Sequence, residues 1–318
     1  MHRHSFSLGP YLTLFALTLL SACGPSGSQP ATPPARPRIA LVMKSLANEF
    51  FLTMENGARA HQKVRADYEL LANGIKDELD VSRQIALVEQ MIAQKVDAIV
   101  IAPADSKALV PVCKKARQAG IVVVNIDNQF DSGVLGVSGV RIPFVGPDNR
   151  KGARAVGDHL ATQLERGDQV VIIEGAPNAF NSIQRKLGFE DAMNSAGMKI
   201  VSSQSGYWET DRANQVAAAL LTEHSDLKAI LCANDSMVLG AVAALRASGK
   251  LNRVKVVGYD NIAAVQQLLA DGVVLATADQ HADQLAVFGI EYALEMLRTR
   301  ATPADRETRV DLITANVR

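Results

Sequence analysis

Five short apolar runs in this sequence are each followed, within a few residues, by an amide or a carboxylate. Asn48 follows the run at 39–43, and Asp127 and Asn128 follow 122–126. Asn234 and Asp235 follow 229–231, Asp260 and Asn261 follow 254–257, and Gln280 follows 274–278. Such groups accept and donate hydrogen bonds to hydroxyls without breaking bonds. Asp and Asn are also common helix N-caps, so any one of these sites alone is ordinary. Together they describe a surface that reads a polyhydroxylated molecule. Phe50 and Phe51 stand beside Asn48 at the start of a helical pattern. Adjacent helical residues point about 100° apart, so one ring is expected in the core and the other in an open cleft. Glu49, Asp235 and Asn261 are read as caps or supporting groups. No Cys or His spacing suits a metal, and no metal or cofactor is expected.

The elements that must position these residues alternate. Strand patterns at 39–43, 68–72, 98–101, 122–126, 170–173, 200–204, 229–231, 254–257 and 274–278 are separated by amphipathic segments of helical length. The helical segments are 50–64, 81–94, 108–118, 151–164, 183–195, 212–222, 237–248 and 282–297. This alternation predicts an α/β fold with two doubly wound parallel sheets, helices on both faces and a ligand cleft between them. Ligands in such sheets bind beyond the carboxyl ends of the strands, where the polar residues above fall.

The chain has 318 residues, with 33 Lys plus Arg against 33 Asp plus Glu. That balance argues against nucleic acid or an anionic membrane surface as a partner. Near the start, Arg3 precedes an apolar run at 8–19, the length of a signal-peptide core and short for a membrane span. It ends in Leu20-Ser21-Ala22-Cys23, which resembles the lipobox of bacterial lipoproteins. The resemblance implies a leader over 1–22 and a lipidated Cys23, with an exported protein anchored at a bacterial membrane by lipid alone. Residues 24–37 are mostly Gly, Pro, Ser and Ala with little to bury, so 23–37 reads as a lipidated tether. Cys113 and Cys232 remain; two buried thiols are favoured over a disulfide, because they fall in different halves of the chain.

IALVMKSLANEFF, VVVNIDNQ, QRKLGF, AILCANDSMVLGA, VVGYDN and ATADQHADQ occur in that order and resemble the ribose-type family of periplasmic sugar-binding proteins. The resemblance covers residues 38–318. It implies that Asn48, Phe50 and Phe51 hydrogen-bond and sandwich the sugar ring, and that Asp127 grips vicinal hydroxyls. Arg185 and Trp208 approach from the second domain, and Asn234, Asp260 and Gln280 complete the polar contacts. Two positions depart from the family pattern. Lys44 stands where a small polar residue is usual, and Asn128 where Arg is common. A flexible ammonium and a planar guanidinium are not equivalent, so a reshaped pocket is expected, with both residues counted among its ligand contacts. The expected ligand is a monosaccharide or related polyol other than ribose itself.

The family also implies a hinge crossed three times, near 146–149, 279–281 and 306–309. One domain would then be 38–147 with 281–307, and the other 148–280 with 308–318. A monomer delivering sugar to an ABC permease is expected. Presentation to a membrane receptor is the alternative. An enzyme is not expected: Asp127 and Asp260 would form a glycosidase pair only with a general acid in an apolar pocket, and none is identifiable.

Overall fold

The computed structural model describes residues 36–315, together with Ser5 and Gly9. The expectations for the leader, Cys23 and most of the tether lie outside the described residues. No helix among the described residues is long and apolar enough to cross a membrane.

The first sheet contains β1 (Arg38–Ser45), β2 (Glu69–Ile75), β3 (Ala98–Ile101), β4 (Val122–Ile126), β5 (Phe144–Pro147) and β11 (Arg306–Thr308). Its order is β2-β1-β3-β4-β5-β11, and all its pairings are parallel. The second contains β6 (Gln169–Glu174), β7 (Lys199–Ser205), β8 (Leu227–Cys232), β9 (Lys255–Val257), β10 (Ala276–Asp279) and β12 (Asp311–Thr314). Its order, β7-β6-β8-β9-β10-β12, repeats that of the first. Only the edge strand β12 runs antiparallel, against β10. In each sheet the order reverses beside the first strand, at β1/β3 and at β6/β8, which opens a crevice at the strand ends.

Continuous apolar strands build this architecture. Every residue of β3 and β4 is buried, as befits strands covered on both faces. Most of the ten helices among the described residues do the covering. The helix α1 (Glu49–Arg65) starts on Asn48, whose side chain accepts the Phe50 N–H, and carries Lys63 and Arg65 in its last turn, where cations favour the helix dipole. It packs with α10 (Ala282–Thr299) on the first sheet. Close approach there depends on Gly289, since a Cβ would sit 2.7 Å from Ile126 Cγ2 and Val100 Cγ1. Cys113 and Cys232 are both buried free thiols.

Five elements have no counterpart in the sequence reading. The helix α4 (Ser132–Ser138) buries none of its residues, so it has no apolar stripe to detect. The helix α9 (Ala263–Ala270) is eight residues long. The strands β5, β11 and β12 have three or four residues each, too few to show an alternation. The chain passes from the first sheet to the second between β5 and α5 (Asn149–Ala161), returns after β10, and passes again in residues 309–310, between β11 and β12.

Candidate sugar-binding site

A cavity between the carboxyl ends of the two sheets holds ten of the eleven residues expected to contact ligand. Lys44, Asn48, Phe50, Phe51 and Asp127 come from the first lobe; Arg185, Trp208, Asn234, Asp260 and Gln280 come from the second. Glu78 and Asn181 complete the lining. The space these side chains enclose is small, with an empty volume of ≈ 240 Å³ that includes its opening to solvent.

The aromatic residues form the walls. Phe50 and Phe51 meet edge to face, with centroids 5.1 Å apart and planes at 83°. Both are buried and both line the cavity, so the division into one core ring and one cleft ring does not hold. Enclosure by the second lobe explains this: at the floor of a cleft, facing the ligand is itself burial. Trp208 faces them from the other lobe at 5 % exposure. A side chain at Gly175 would collide with its ring, so the residue just after β6 must be glycine for the indole to enter. Trp208 and its neighbour Tyr207 both have positive φ, as do Asp127 and Asp260. Non-glycine residues rarely adopt this conformation, and it concentrates where a side chain must be aimed.

The most constrained group is Arg185, in the first turns of α6 (Phe180–Ala196). Its Nε donates to Asn149 Oδ1 at 2.7 Å. Its Nη1 donates to the Ala233 carbonyl at 2.8 Å and to Asp260 Oδ1 at 3.2 Å. The guanidinium also lies 3.7 Å over the Tyr259 ring. Three donors are therefore held by protein, while the pair on Nη2 remains for a ligand. Asp260 Oδ1 also accepts from Gln280 Nε2 at 2.7 Å, which leaves Gln280 Oε1 without a partner. At the opposite end, Lys44 Nζ lies 3.1 Å from Asp127 Oδ2 and 4.0 Å from Glu78 Oε2.

Among the described residues, three buried oxygens in the lining lack any hydrogen-bond partner: Glu78 Oε2, Asn181 Oδ1 and Gln280 Oε1; Asp127 Oδ2 is paired with Lys44 alone. All are acceptors. A buried acceptor left unpaired costs about 1–3 kcal/mol, so the cavity is built for a donor-rich guest. Three carboxyl groups, Glu78, Asp127 and Asp260, face two cations, Lys44 and Arg185, so the lining offers an anionic ligand no net positive charge.

Asn128 is the exception among the expected contacts. It is fully buried but turned away from the cavity. Its Nδ2 donates to the Pro103 carbonyl at 2.8 Å, and its Oδ1 accepts from Ser106 Oγ at 3.3 Å and from the Asn181 N–H at 3.1 Å. An amide is too short to reach where a guanidinium would, so it serves the lobe boundary instead. Glu78 and Asn181 escaped the sequence reading. The loop after β2 carries the polar run Lys76-Asp77-Glu78, which marks a strand end, but nothing in the sequence separates Glu78 from its exposed neighbours.

The lobes touch beyond the cavity through two helix starts. The helices α6 and α9 have Ala179 and Ile262 at their N-caps, and neither side chain caps its helix. Acceptors from the other lobe fill the gap. Ser106 Oγ accepts from the Phe180 N–H at 2.9 Å, Asn128 Oδ1 from the Asn181 N–H, and Glu49 Oε1 from the Ala263 N–H at 2.7 Å. Asn178 adds a bond to Asp105 Oδ2 at 2.8 Å.

Burial raises the carboxyl of Glu78 to about 7, against the attraction of Lys44 and the Asn48 hydrogen bond. Burial likewise raises Asp260 to about 6, with Arg185 opposing. The folded chain therefore holds protons that the unfolded chain has released between about pH 4 and 7. Stability from this source is present below that window and is lost as the pH rises through 6 and 7. For the closed lobes, the melting temperature of the wild type should fall relative to Glu78→Gln between pH 5 and 8. The expected difference is on the order of 3 kcal/mol, or several degrees. Parallel melting curves for the two proteins across that range would contradict it.

Residues 39–301 match the model of the periplasmic binding protein domain. A D-ribose/D-allose-binding protein of Pseudomonas aeruginosa is 60% identical over 310 residues, covering 95% of this chain and 97% of its own. A D-allose-binding periplasmic protein of Escherichia coli is 30% identical over 282 residues, covering 86% of this chain and 89% of its own. Among solved structures, an ABC transporter solute-binding protein of Burkholderia multivorans superposes with a TM-score of 0.87 at 60% identity, covering 88% of this chain and all of its own. An ABC transporter periplasmic solute-binding protein of Actinobacillus succinogenes with bound D-allose gives 0.84 at 34% identity, covering 88% and 98%. The chain belongs to the ribose-type family of periplasmic sugar-binding proteins. It is a binding protein and not an enzyme.

Proposed function

We propose that this protein captures a neutral monosaccharide of the D-ribose or D-allose type and delivers it to the permease of an ABC importer. The observation that carries the reading is the set of three unpartnered acceptor oxygens, with the Lys44–Asp127 pair beside them, around an enclosed interlobe cavity walled by Phe50, Phe51 and Trp208. Sugar hydroxyls donate to such acceptors, the free Nη2 of Arg185 donates to sugar oxygens, and Phe50, Phe51 and Trp208 cover the C–H faces. The relative that shares 60% of its residues binds, by its name, both D-ribose and D-allose. D-ribose therefore stays within the proposed range, despite Lys44.

Capture proceeds by closure of the lobe 38–147 with 281–307 onto the lobe 148–280 with 308–318. The ligand contacts both lobes and stabilises their approach by its differential affinity for the closed state. The lipid on Cys23 and the tether over 23–37 keep the protein near its permease, where a high local concentration compensates for a modest affinity.

A thermal-shift panel tests the reading. Millimolar D-allose or D-ribose should raise the melting temperature by several degrees, since a ligand at 1,000 times its Kd adds about 4 kcal/mol. Sugar acids should leave it unchanged, because the cavity offers them no net positive charge. No shift with any neutral monosaccharide, or a larger shift with an acid, overturns the proposal.

A further inference from the structure

Glu78 sits in the loop between β2 and α2 (Val81–Ala93), in the run Lys76-Asp77-Glu78-Leu79-Asp80. Lys76, Asp77 and Asp80 are exposed, whereas Glu78 is 3 % exposed and lines the cavity. The loop is held by its own bonds. Asp77 Oδ1 accepts the Leu79 N–H at 2.8 Å, Asp80 Oδ1 accepts the Arg83 N–H at 2.9 Å, and Ser45 Oγ donates to the Lys76 carbonyl at 2.9 Å. The inward turn of Glu78 is thus a fixed feature of the backbone.

The two oxygens of Glu78 have different surroundings. Oε1 accepts from Asn48 Nδ2 at 3.1 Å. Since Asn48 Oδ1 already accepts the Phe50 N–H at 3.0 Å, this second bond fixes the whole amide plane. Oε2 is buried without a hydrogen-bond partner, and Lys44 Nζ is 4.0 Å away, beyond hydrogen-bond distance. A buried carboxylate oxygen in that position is costly unless a donor arrives.

We propose that Glu78 is a specificity-determining ligand contact, its Oε2 accepting a hydrogen bond from one sugar hydroxyl at the Lys44–Asp127 end of the cavity. This rests on the sugar-binding reading given above. A site that hydrogen-bonds a hydroxyl rejects analogues lacking it, because the buried group is then left unpaired. The cavity therefore discriminates at one ring carbon through Glu78. The ammonium of Lys44 pairs with Asp127 Oδ2 at 3.1 Å and stays 4.0 Å from Glu78 Oε2, which leaves that oxygen for the ligand.

The test is calorimetric titration of wild type, Glu78→Gln and Glu78→Asp with D-allose, D-ribose and the four single-carbon epimers of D-allose at carbons 2 to 5. Circular dichroism confirms the fold of each variant. Gln keeps the length and removes the charge, while Asp keeps the charge and shortens the reach. Both variants should weaken the best-bound sugar by at least 10-fold and leave one epimer within about twofold, so that preference collapses at a single carbon. A uniform loss across the panel, as expected if Glu78 only orients Asn48, overturns the inference alone, and so does no loss. Wild-type protein that binds none of the sugars overturns the sugar-binding reading itself.

Discussion

Replacing Arg185 with Lys should weaken binding of D-allose and D-ribose by about 100-fold or more while leaving the protein folded. The native guanidinium spends three donors on Asn149, Ala233 and Asp260 and stacks on Tyr259, which leaves Nη2 aimed from a fixed plane. An ammonium has three donors on one atom and no plane to stack. If it satisfies Asp260 and the Ala233 carbonyl, it sits too far back to present a pair of donors to the sugar. If it reaches forward, Asp260 loses its cation in a buried setting. Each charge-assisted bond lost is worth about 1.5–3 kcal/mol, and two of them approach or exceed 100-fold. Titration calorimetry reads the affinity, and circular dichroism with thermal melting reads the fold. A loss below about threefold would show that Arg185 supports the lobe without holding ligand.

The second large effect concerns Asn128 and has a different signature. Asn128→Ala should lower the affinity for every sugar by a common factor, about 30-fold, with the ranking of sugars unchanged. The side chain does not itself line the cavity, yet it caps α6 of the opposite lobe through the Asn181 N–H. It also holds Ser106, whose hydroxyl caps the Phe180 N–H. An N-cap is worth about 1 kcal/mol, so two weakened together cost about 2 kcal/mol of the closed state. A smaller closed fraction lowers the apparent affinity for all ligands alike. Glu49→Ala, which uncaps α9, should act in the same way by about fivefold. A changed sugar ranking in either variant would mean direct contact with ligand.

These two residues also show what the sequence could and could not reveal. The strand ends were legible because buried parallel strands are continuous apolar runs, and the crevice at their carboxyl ends follows from the order of the sheet. Asp127, Asn234, Asp260 and Gln280 lie where that logic puts them. Arg185 and Trp208 were legible only through family resemblance, since one lies inside a helix and the other in a loop with left-handed backbone. Asn128 was misplaced because proximity in sequence to Asp127 does not set direction: consecutive side chains past a strand end diverge. Glu78 was missed because burial of one acid among several depends on the loop's internal bonds. Those bonds form only in three dimensions.

Residues 306–314 have a consequence for the order in which this protein folds. The strand β11 closes the edge of the first sheet and β12 that of the second, with residues 309–310 alone between them. Neither sheet is complete until this segment has left the ribosome, although most of each lobe is made much earlier. Until then β5 and β10 each present a bare edge, the kind of surface that pairs with whatever strand it meets. Synthesis therefore holds both lobes unfinished to nearly the same moment.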